Sequence, residues 1–170
     1  MRKKKTFLKA DFLKTAAVLT ISDSSSQGRR EDLSGPAIVS QLEAAGFQVV
    51  RTAIIPDELE QIGAQLIESC EQARLVVTVG GTGIALRDVT PEATLAVAER
   101  TLPGIAERIR SEGAKKTPFA VLSRGVCGVR GKSLILNLPG SPAAARESLQ
   151  AVVEILPHAL DLLAGHTAHK

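Results

Sequence analysis

The chain has 170 residues, a length that fits one domain, and its 44% of apolar residues can fill a core. It contains no Trp or Tyr and only four Phe, which argues against binding nucleic acid by stacking bases on aromatic rings. The net charge of +3 is uneven: residues 1–14 carry six basic side chains and one acidic one, or +5, and the remaining 156 residues carry 15 basic and 17 acidic ones, or −2.

This charge distribution predicts three segments. Residues 1–14 are expected to form a basic, flexible arm, residues 15–165 a single domain and residues 166–170 a C-terminal tail. A nucleic-acid or membrane role for the lysine run of the arm is a less favoured alternative.

The cysteines and the apolar segments indicate a cytoplasmic protein. Cys70 and Cys127 lie far apart, neither belongs to a CxxC motif, and the three histidines crowd the C-terminus, so we expect two reduced thiols and no zinc or disulfide framework. No run of eighteen apolar residues exists, and no apolar segment follows the basic N-terminus. We therefore expect neither a membrane partner nor a nucleic-acid partner.

Strands and helices alternate in the first half of the predicted body. Ala16–Ile21 and Leu75–Val79 are short apolar runs typical of strands buried on both faces, and Phe47–Ile55 is a β-branched strand. A helix is predicted from an N-cap at Ser34 to about residue 45, where Gly46 ends it. The apolar stripe within residues 58–73 predicts an amphipathic helix.

The second half continues this alternation. Thr90 is predicted to cap a helix with Pro91 at its first position. The other predicted elements are a short helix from the break at residues 103–104 to about 112, strands over Phe119–Ser123 and Ser133–Leu138 with glycine turns or a small hairpin between them, and a last helix from residue 142 that Pro157 interrupts.

This order of elements predicts a three-layer α/β fold with a mostly parallel, twisted sheet and helices on both faces. In such sheets ligands bind beyond the carboxyl ends of the strands. The search for a site therefore reduces to the loops that follow the predicted strands.

Gly80–Gly83, with the sequence GGTG, is the most informative of these loops. Three glycines allow a sharp turn that gathers backbone N–H groups on one concave face, where an oxyanion such as phosphate fits, and Thr82 adds a hydroxyl. The loop has neither the spacing of a P-loop nor that of a dinucleotide fingerprint. A plain connecting turn is the alternative.

Two aspartates in strand-end loops are candidate ligands of magnesium. Asp88 follows the glycine loop, where a carboxylate beside a phosphate would repel it unless both held a cation. Asp57 follows the second strand. The alternatives are that Asp88 caps the next helix and that Asp57 stabilises a turn.

Other polar residues follow the remaining strands. Ser141 is a predicted N-cap that places free N–H groups beyond a strand. Arg124, after Ser123, could clamp a phosphate or pair with an acidic side chain. The serine-rich loop that begins at Ser22 has no histidine nearby in sequence, so a Ser-His-Asp hydrolase is a poor fit.

Taken together, these motifs resemble the MogA/MoaB family of molybdenum-cofactor biosynthesis proteins, a domain that also occurs in plant Cnx proteins and in gephyrin. The resemblance spans residues 15–165. It is carried by Ile21-Ser22-Asp23 with Gly28, Asp32 with Ser34-Gly35-Pro36, Ile55-Pro56-Asp57, Gly80 to Gly83 through Arg87-Asp88-Val89-Thr90-Pro91-Glu92-Ala93, Leu122-Ser123-Arg124, and Asn137 to Pro142.

The resemblance implies a usually trimeric α/β fold and an activity: transfer of the adenylyl group of ATP to molybdopterin, with magnesium, giving adenylylated molybdopterin and pyrophosphate. It implies that Asp88 and Asp57 are the catalytic and metal-binding residues. The substrate-binding residues that it implies are Ser22, Asp23, Gly80, Gly81, Thr82, Gly83, Ser123, Arg124, Pro139, Gly140 and Ser141. Hand-over of the product to a molybdate-inserting protein is also implied.

Two departures from the family pattern are present: Arg29-Arg30 stand where the family often has an aromatic residue, and the basic arm is additional. Two alternatives to the enzyme follow. One is a MoaB-like molybdopterin-binding or scaffold protein without adenylylation activity. The other is a nucleotide-binding domain that acts on a different small molecule.

Overall fold

A computed structural model of the chain describes residues 14–166. The predicted arm, except for Lys14, and the predicted tail, except for His166, lie outside the described residues.

Strands and helices alternate through the described residues, as the sequence predicts. The strands are β1 (Thr15–Ile21), β2 (Gln48–Ile55), β3 (Leu75–Val79), β4 (Arg100–Thr101), β5 (Cys127–Arg130) and β6 (Ser133–Leu138). The α-helices are α1 (Asp23–Ser26), α2 (Ser34–Ala44), α3 (Leu59–Gln72), α4 (Thr90–Val97), α5 (Pro103–Ala114), α6 (Pro142–Val152) and α7 (Leu156–Leu163), and a 3-10 helix spans Pro118–Leu122. The interruption predicted at Pro157 is the break between α6 and α7, with Pro157 in the first turn of α7.

The six strands form one sheet in the order β2-β1-β3-β6-β5-β4. The first four are parallel, with Val18 of β1 opposite Thr52 of β2 and Val77 of β3. β5 and β4 are antiparallel to their neighbours and form one edge. The mostly parallel sheet is therefore confirmed, and the carboxyl ends of its four parallel strands meet at one edge.

Helices cover both faces of the sheet. On one face, α2, α5, α6 and α7 pack side chains such as Ile38, Ile109 and Leu149 against the sheet. On the other face, α3 and α4 bury residues that include Ile62 and Leu66. All seven residues of β1 and all six of β6 are buried, as expected for central strands covered on both sides. The three-layer α/β architecture is confirmed.

A buried side-chain amide interrupts the apolar face of β6. The side-chain amide of Asn137 donates to the hydroxyls of Thr78 in β3, at 3.0 Å, and Thr94 in α4, at 2.9 Å. Its carbonyl oxygen accepts from the backbone N–H of Val126. Because every polar atom of this amide has a partner, its burial costs little, and it fixes α4 and the segment before β5 against the sheet.

The strand predicted over Phe119–Ser123 is wrong. This segment is the 3-10 helix, in which Pro118 occupies the first turn and the Thr117 hydroxyl accepts from the backbone N–H of Phe119. Apolar side chains alone suggested a buried strand, yet Phe119 is 73% exposed. The position beside β6 is taken instead by β5, which forms the hairpin predicted from the glycines, with a turn at Gly131.

No helix within residues 14–166 has the length and apolar character needed to cross a membrane.

Candidate active site

Two adjoining cavities open at the carboxyl edge of the parallel strands. The polar cavity, of about 330 Å³, lies between the loops that follow β1, β2, β3 and β6 and includes Ser22, Asp57 and Ser141. The apolar-walled cavity, of about 520 Å³, lies between the glycine loop, α5 and the 3-10 helix, and its walls include Ile84, Phe119 and Leu122. Gly81, Asp88 and Gly140 line both cavities and form the shared wall between them.

All but two of the predicted site residues line these cavities. The residues that line only the polar cavity are Ser22, Asp57, Gly80 and Ser141. Those that line only the apolar-walled cavity are Thr82, Gly83, Ser123 and Pro139. Both cavities are lined by Gly81, Asp88 and Gly140. The exceptions are Asp23 and Arg124, which line neither cavity. Both contact residues that do.

The glycine loop is shaped by its protein neighbours. Gly80 and Gly81 have φ angles of +108° and +65°, which residues with a side chain rarely adopt. A Cβ at Gly80 would overlap the carbonyl oxygen of Ile21, and a Cβ at Gly81 would overlap the hydroxyl of Thr90. The glycines are therefore required by packing before any ligand is considered, and GGTG alone does not distinguish a phosphate site from a connecting turn.

Asp57 is a partly buried carboxylate of the site. Its Oδ2 accepts from the backbone N–H of Asp23 at 2.9 Å, and its own backbone N–H donates to Asp23 Oδ1 at 3.0 Å, so the loops after β1 and β2 are joined reciprocally. Desolvation raises the pKa of Asp57, and the negative charges of Asp23 and Asp88 raise it further, although the bond from the Asp23 backbone opposes the shift.

Arg87 joins three of the strand-end loops. Its Nε donates to Asp23 Oδ2 at 2.6 Å and its Nη2 donates to Glu58 Oε1 at 2.8 Å. The hydrogen bond from Arg87 lowers the pKa of Asp23, and the bond from the Asp57 backbone lowers it further. Asp23 therefore acts within this network as a partner of Arg87 and Asp57.

Asp88 closes its own loop and does not cap the following helix. Its Oδ2 accepts from the backbone N–H of Ala85 at 2.9 Å. The N-cap position of α4 belongs to Val89, and Thr90 is the first helical residue, so the prediction of Thr90 as the cap is wrong. The hydroxyl of Thr90 donates instead to the carbonyl of Gly80 at 3.0 Å, which anchors the glycine loop to α4.

The two carboxylates fit a magnesium ion. Asp57 and Asp88 line the same polar cavity, and the negative charge of Asp88 raises the pKa of Asp57, a repulsion that a divalent cation would relieve. Within residues 14–166 no group of three or more acidic, histidine or cysteine side chains is placed to hold a metal. Magnesium in proteins is commonly bound by one or two carboxylates together with oxygens of substrate phosphates, and Asp57 and Asp88 match the protein part of such a set.

Serines and Asp32 organise the polar cavity. Ser141 is the N-cap of α6, as predicted, and accepts from the backbone N–H of Ala144. The Ser34 hydroxyl donates to the carbonyl of Gly140 at 2.7 Å, which fixes the shared wall. Ser34 is the first residue of α2 rather than its cap, because the Asp32 carboxylate accepts from the backbone N–H groups of Ser34 and Gly35.

Arg124 forms an ion pair with an acidic side chain, which is one of the two roles that the sequence left open. Its guanidinium pairs with Glu92 of α4 and donates to the backbone carbonyls of Gly83 and Asp88. It follows the 3-10 helix rather than the strand predicted there.

Sequence reasoning assigned no role in the site to three residues that form it, Asp32, Arg87 and Thr90, although all three lie in the motifs that carry the resemblance. Asp32 and Thr90 lie directly before or at a helix start, where carboxylates and hydroxyls often bond backbone groups, so that local signal could have identified them. The bonds of Arg87 join loops more than 25 positions apart, a pairing that spacing does not reveal.

A further cleft, of about 690 Å³, lies between α2, α5 and α6 and contains none of the predicted site residues. Its lining mixes both signs of charge, with Arg108 and Arg146 beside Glu112 and Glu147. It has the character of a solvated groove between helices.

These features define an α/β protein with paired carboxylates at the wall between two strand-end cavities. The family described as "Probable molybdopterin binding domain" matches residues 17–158. Because this match covers most of the chain, the protein belongs to the molybdenum-cofactor biosynthesis family, and the resemblance found in the motifs is confirmed.

Proteins of this family from several bacteria are similar over most of their length. A molybdopterin adenylyltransferase of Helicobacter pylori is 46% identical over 153 residues, which cover 88% of this chain and 87% of the relative. A molybdopterin adenylyltransferase of Escherichia coli K12 is 43% identical over 141 residues, covering 79% and 71%. The crystal structure of the molybdopterin biosynthesis enzyme MoaB from Thermus thermophilus is 49% identical, covers 89% of this chain and 96% of that chain, and has a TM-score of 0.83.

Proposed function

We propose that the protein is a molybdopterin adenylyltransferase, which transfers the adenylyl group of ATP to molybdopterin in molybdenum-cofactor biosynthesis. Curated relatives with this name are 43–46% identical to the chain over 141–153 aligned residues, which favours the enzyme over the scaffold alternative. The observation that carries the proposal is the shared wall, where Asp88, Gly81 and Gly140 face both cavities. Such a wall is suited to a reaction that joins two substrates.

In this proposal each cavity holds one substrate, and their reacting phosphates meet at the shared wall. A phosphate oxygen of the pterin attacks the α-phosphorus of ATP, a new P–O bond forms, and the bond to the bridging oxygen of the β-phosphate breaks to release pyrophosphate. No electron is gained or lost, and the pterin phosphate is already ionised at neutral pH, so no strong general base is needed. Positioning and charge stabilisation can therefore supply most of the catalysis.

The residues of the chain have separate tasks in this scheme. Gly81 and Gly140 lack side chains and allow phosphates to approach the backbone at the wall. Ser22 and Ser141 offer hydroxyls to the substrate of the polar cavity, and Thr82 and Ser123 offer hydroxyls on the other side. Asp57 and Asp88 would hold magnesium, which supplies neutralisation of phosphate charge.

The test is incubation of the pure protein with molybdopterin, ATP and magnesium, followed by detection of adenylylated pterin and pyrophosphate. We expect both products in equal amounts. Asp161→Asn, which changes a carboxylate of α7 outside both cavities, is the matched control for loss of an acidic side chain and should retain the wild-type rate. Tight pterin binding without product would support the scaffold, and absence of pterin binding would support action on another small molecule.

The assembly and setting that the resemblance implies belong to the same proposal: a homotrimer in the cytoplasm that hands its product to a molybdate-inserting protein. Several exposed apolar side chains support an oligomer, among them Leu86 at 99% and Leu95 at 51% exposure. We expect light scattering after size exclusion to give about three times the chain mass of 17.9 kDa. A monomer at micromolar concentration would contradict the trimer.

A further inference from the structure

Arg124 contacts the loop that carries Asp88 at both of its ends. Its backbone N–H donates to the carbonyl of Thr82 at 2.8 Å, and its Nε donates to the carbonyl of Gly83 at 2.7 Å. Its Nη2 donates to the carbonyl of Asp88 at 2.5 Å. The beginning and the end of the segment from Gly83 to Asp88 are thus held by one side chain.

The remaining edge of the guanidinium is occupied as well. Nη1 pairs with Glu92 of α4, and this pairing lowers the pKa of Glu92. All three guanidinium nitrogens therefore donate to protein oxygens, and the positive charge is balanced by a carboxylate. A side chain committed in this way has little capacity left for a phosphate.

The position of Asp88 depends on these contacts. Its carbonyl is bound by Arg124, while its carboxylate accepts from Ala85 within the same segment. A Cβ at Gly83 would lie 2.8 Å from Asp88 Oδ2, so the carboxylate packs directly against the other end of the segment. Movement of either end would displace the carboxylate from the shared wall.

We propose that Arg124 is a positioning residue that acts through Asp88 and does not bind the reacting phosphates. This inference rests on the proposed adenylyl transfer. The planar guanidinium matches the task because its donors point in fixed, divergent directions, so it can reach two carbonyls and a carboxylate together. A lysine ammonium at the same place could keep the charge near Glu92 but could not bridge both carbonyls.

A double-mutant cycle tests the assignment, because two residues that act through one another do not have additive effects. Arg124→Gln is expected to lower kcat on the order of tenfold or more, with the KM for molybdopterin and for ATP changed less than about threefold. In the Asp88→Asn background the same substitution should cost less than about threefold in kcat. A phosphate ligand would instead raise a KM about tenfold or more and reduce the rate by the same factor in both backgrounds.

Two further variants separate positioning from charge and from general loss of an arginine. Arg124→Lys keeps the charge, so recovery of the wild-type kcat would overturn the proposal, whereas we expect the same loss as in Arg124→Gln. Arg51→Gln is the matched control, because Arg51 also makes an ion pair and hydrogen bonds with one helix, at Glu68 and Gln65, away from both cavities. It should retain kcat.

A measurement that does not depend on catalysis tests the role of Arg124 separately from the proposed function. Hydrogen–deuterium exchange of the peptide over residues 82–88 should be faster in Arg124→Gln than in the wild type and unchanged in Arg51→Gln, while molybdopterin affinity stays within about threefold. Equal exchange in all three proteins would overturn the inference. Absence of adenylylation by the wild type would overturn the proposed function while this measurement still decided the role of Arg124 in the loop.

Discussion

The polar cavity and the apolar-walled cavity share a wall but are built in different ways. The polar cavity is formed by loops that follow parallel strands, and its serines and carboxylates bond mainly to backbone groups, either of their own loop or of a neighbouring one. The outer wall of the apolar-walled cavity comes from α5 and the 3-10 helix, through Ile109, Phe119 and Leu122. One cavity is therefore fixed by hydrogen bonds and the sheet, and the other by apolar side chains, of which Ile109 is buried whereas Phe119 and Leu122 are exposed.

This difference in construction indicates what each cavity can contribute to catalysis and to substrate binding. Fixed, bonded oxygens suit a place where charge must be held during a reaction, because groups that are already oriented need no reorganisation. Exposed apolar side chains suit binding by contact area, which affects affinity more than rate. The two cavities should thus respond differently to substitution, and Asp88 at their shared wall should show the largest response.

Asp88→Asn is expected to lower kcat on the order of a hundredfold or more, because the neutral amide is a poor ligand for magnesium and a central electrostatic contact is lost. The amide oxygen can still accept from the backbone N–H of Ala85, so the loop and the thermal stability should change little. Molybdopterin affinity should be retained. Steady-state kinetics and a thermal melt measure the two effects; more than about a tenth of wild-type turnover at saturating magnesium would reassign the catalytic role to Asp57.

The sequence predicted the polar cavity better than the apolar-walled one, for a physical reason. Strands β1, β3 and β6 are predominantly apolar, and the parallel sheet that they imply places their following loops together. The residues in those loops, such as Ser22 and Ser141, were therefore predictable as neighbours. The same argument predicted helices on both faces.

The apolar-walled cavity could not be predicted from the sequence in this way, because its wall depends on tertiary packing. The segment Phe119–Ser123 has strand-like composition, but Pro118 and the Thr117 cap favour a helical turn, and β5 occupies the place beside β6. Arg124, which follows this segment, was expected as a strand-end residue and lies instead against the glycine loop. Spacing along the chain carries no information on either contact.

Phe119→Ala and Ser25→Ala test whether each cavity holds a different substrate. Phe119 is 73% exposed and lines only the apolar-walled cavity, so its truncation should leave the fold intact and raise the KM of one substrate by about tenfold. Ser25 lines only the polar cavity, and its variant should raise the KM of the other substrate by a few-fold. Initial rates with each substrate varied in turn would show the crossed pattern. If both variants changed the same KM, the assignment of one substrate to each cavity would be wrong.

The pH dependence of turnover tests the role of the Asp57 carboxylate in the polar cavity. Desolvation raises the pKa of Asp57, so its protonation begins at a higher pH than for an ordinary aspartate, while Asp23, whose pKa is lowered, stays ionised there. Turnover should therefore fall as the pH drops through the raised pKa of Asp57, and lower magnesium should move this acid limb to higher pH. Profiles of kcat/KM from about pH 4 to about pH 8 at two magnesium concentrations measure it. An acid limb that does not respond to magnesium would contradict the role of Asp57 as a ligand.

The raised pKa of Asp57 also affects the stability of the fold, which it lowers at neutral pH. A carboxylate whose pKa is higher in the folded state than in the unfolded state adds stability at low pH, and this contribution is lost as the pH rises through the folded-state pKa. At neutral pH the ionised Asp57 therefore weakens the fold. Asp57→Asn, which can still accept from the Asp23 backbone, should raise the free energy of unfolding in urea at pH 7 while lowering turnover. A loss of stability in this variant would mean that the carboxylate supports the fold.

The smallest effect is expected from the basic arm. Residues 1–13 join the domain at Lys14, beside the first residue of β1, whereas both cavities lie at the other end of that seven-residue strand, about 20 Å away. Deleting residues 1–13 should change kcat/KM for adenylylation less than about threefold, which corresponds to roughly 0.7 kcal/mol in the activation free energy, because none of these residues belongs to the motifs that carry the family resemblance. The comparison is made at physiological salt, because charged segments act over longer distances at low ionic strength. A loss of tenfold or more would show that residues 1–13, with five basic side chains and one acidic one, act through their +4 charge on the anionic substrates, and a selective rise in one KM would identify the cavity that they serve.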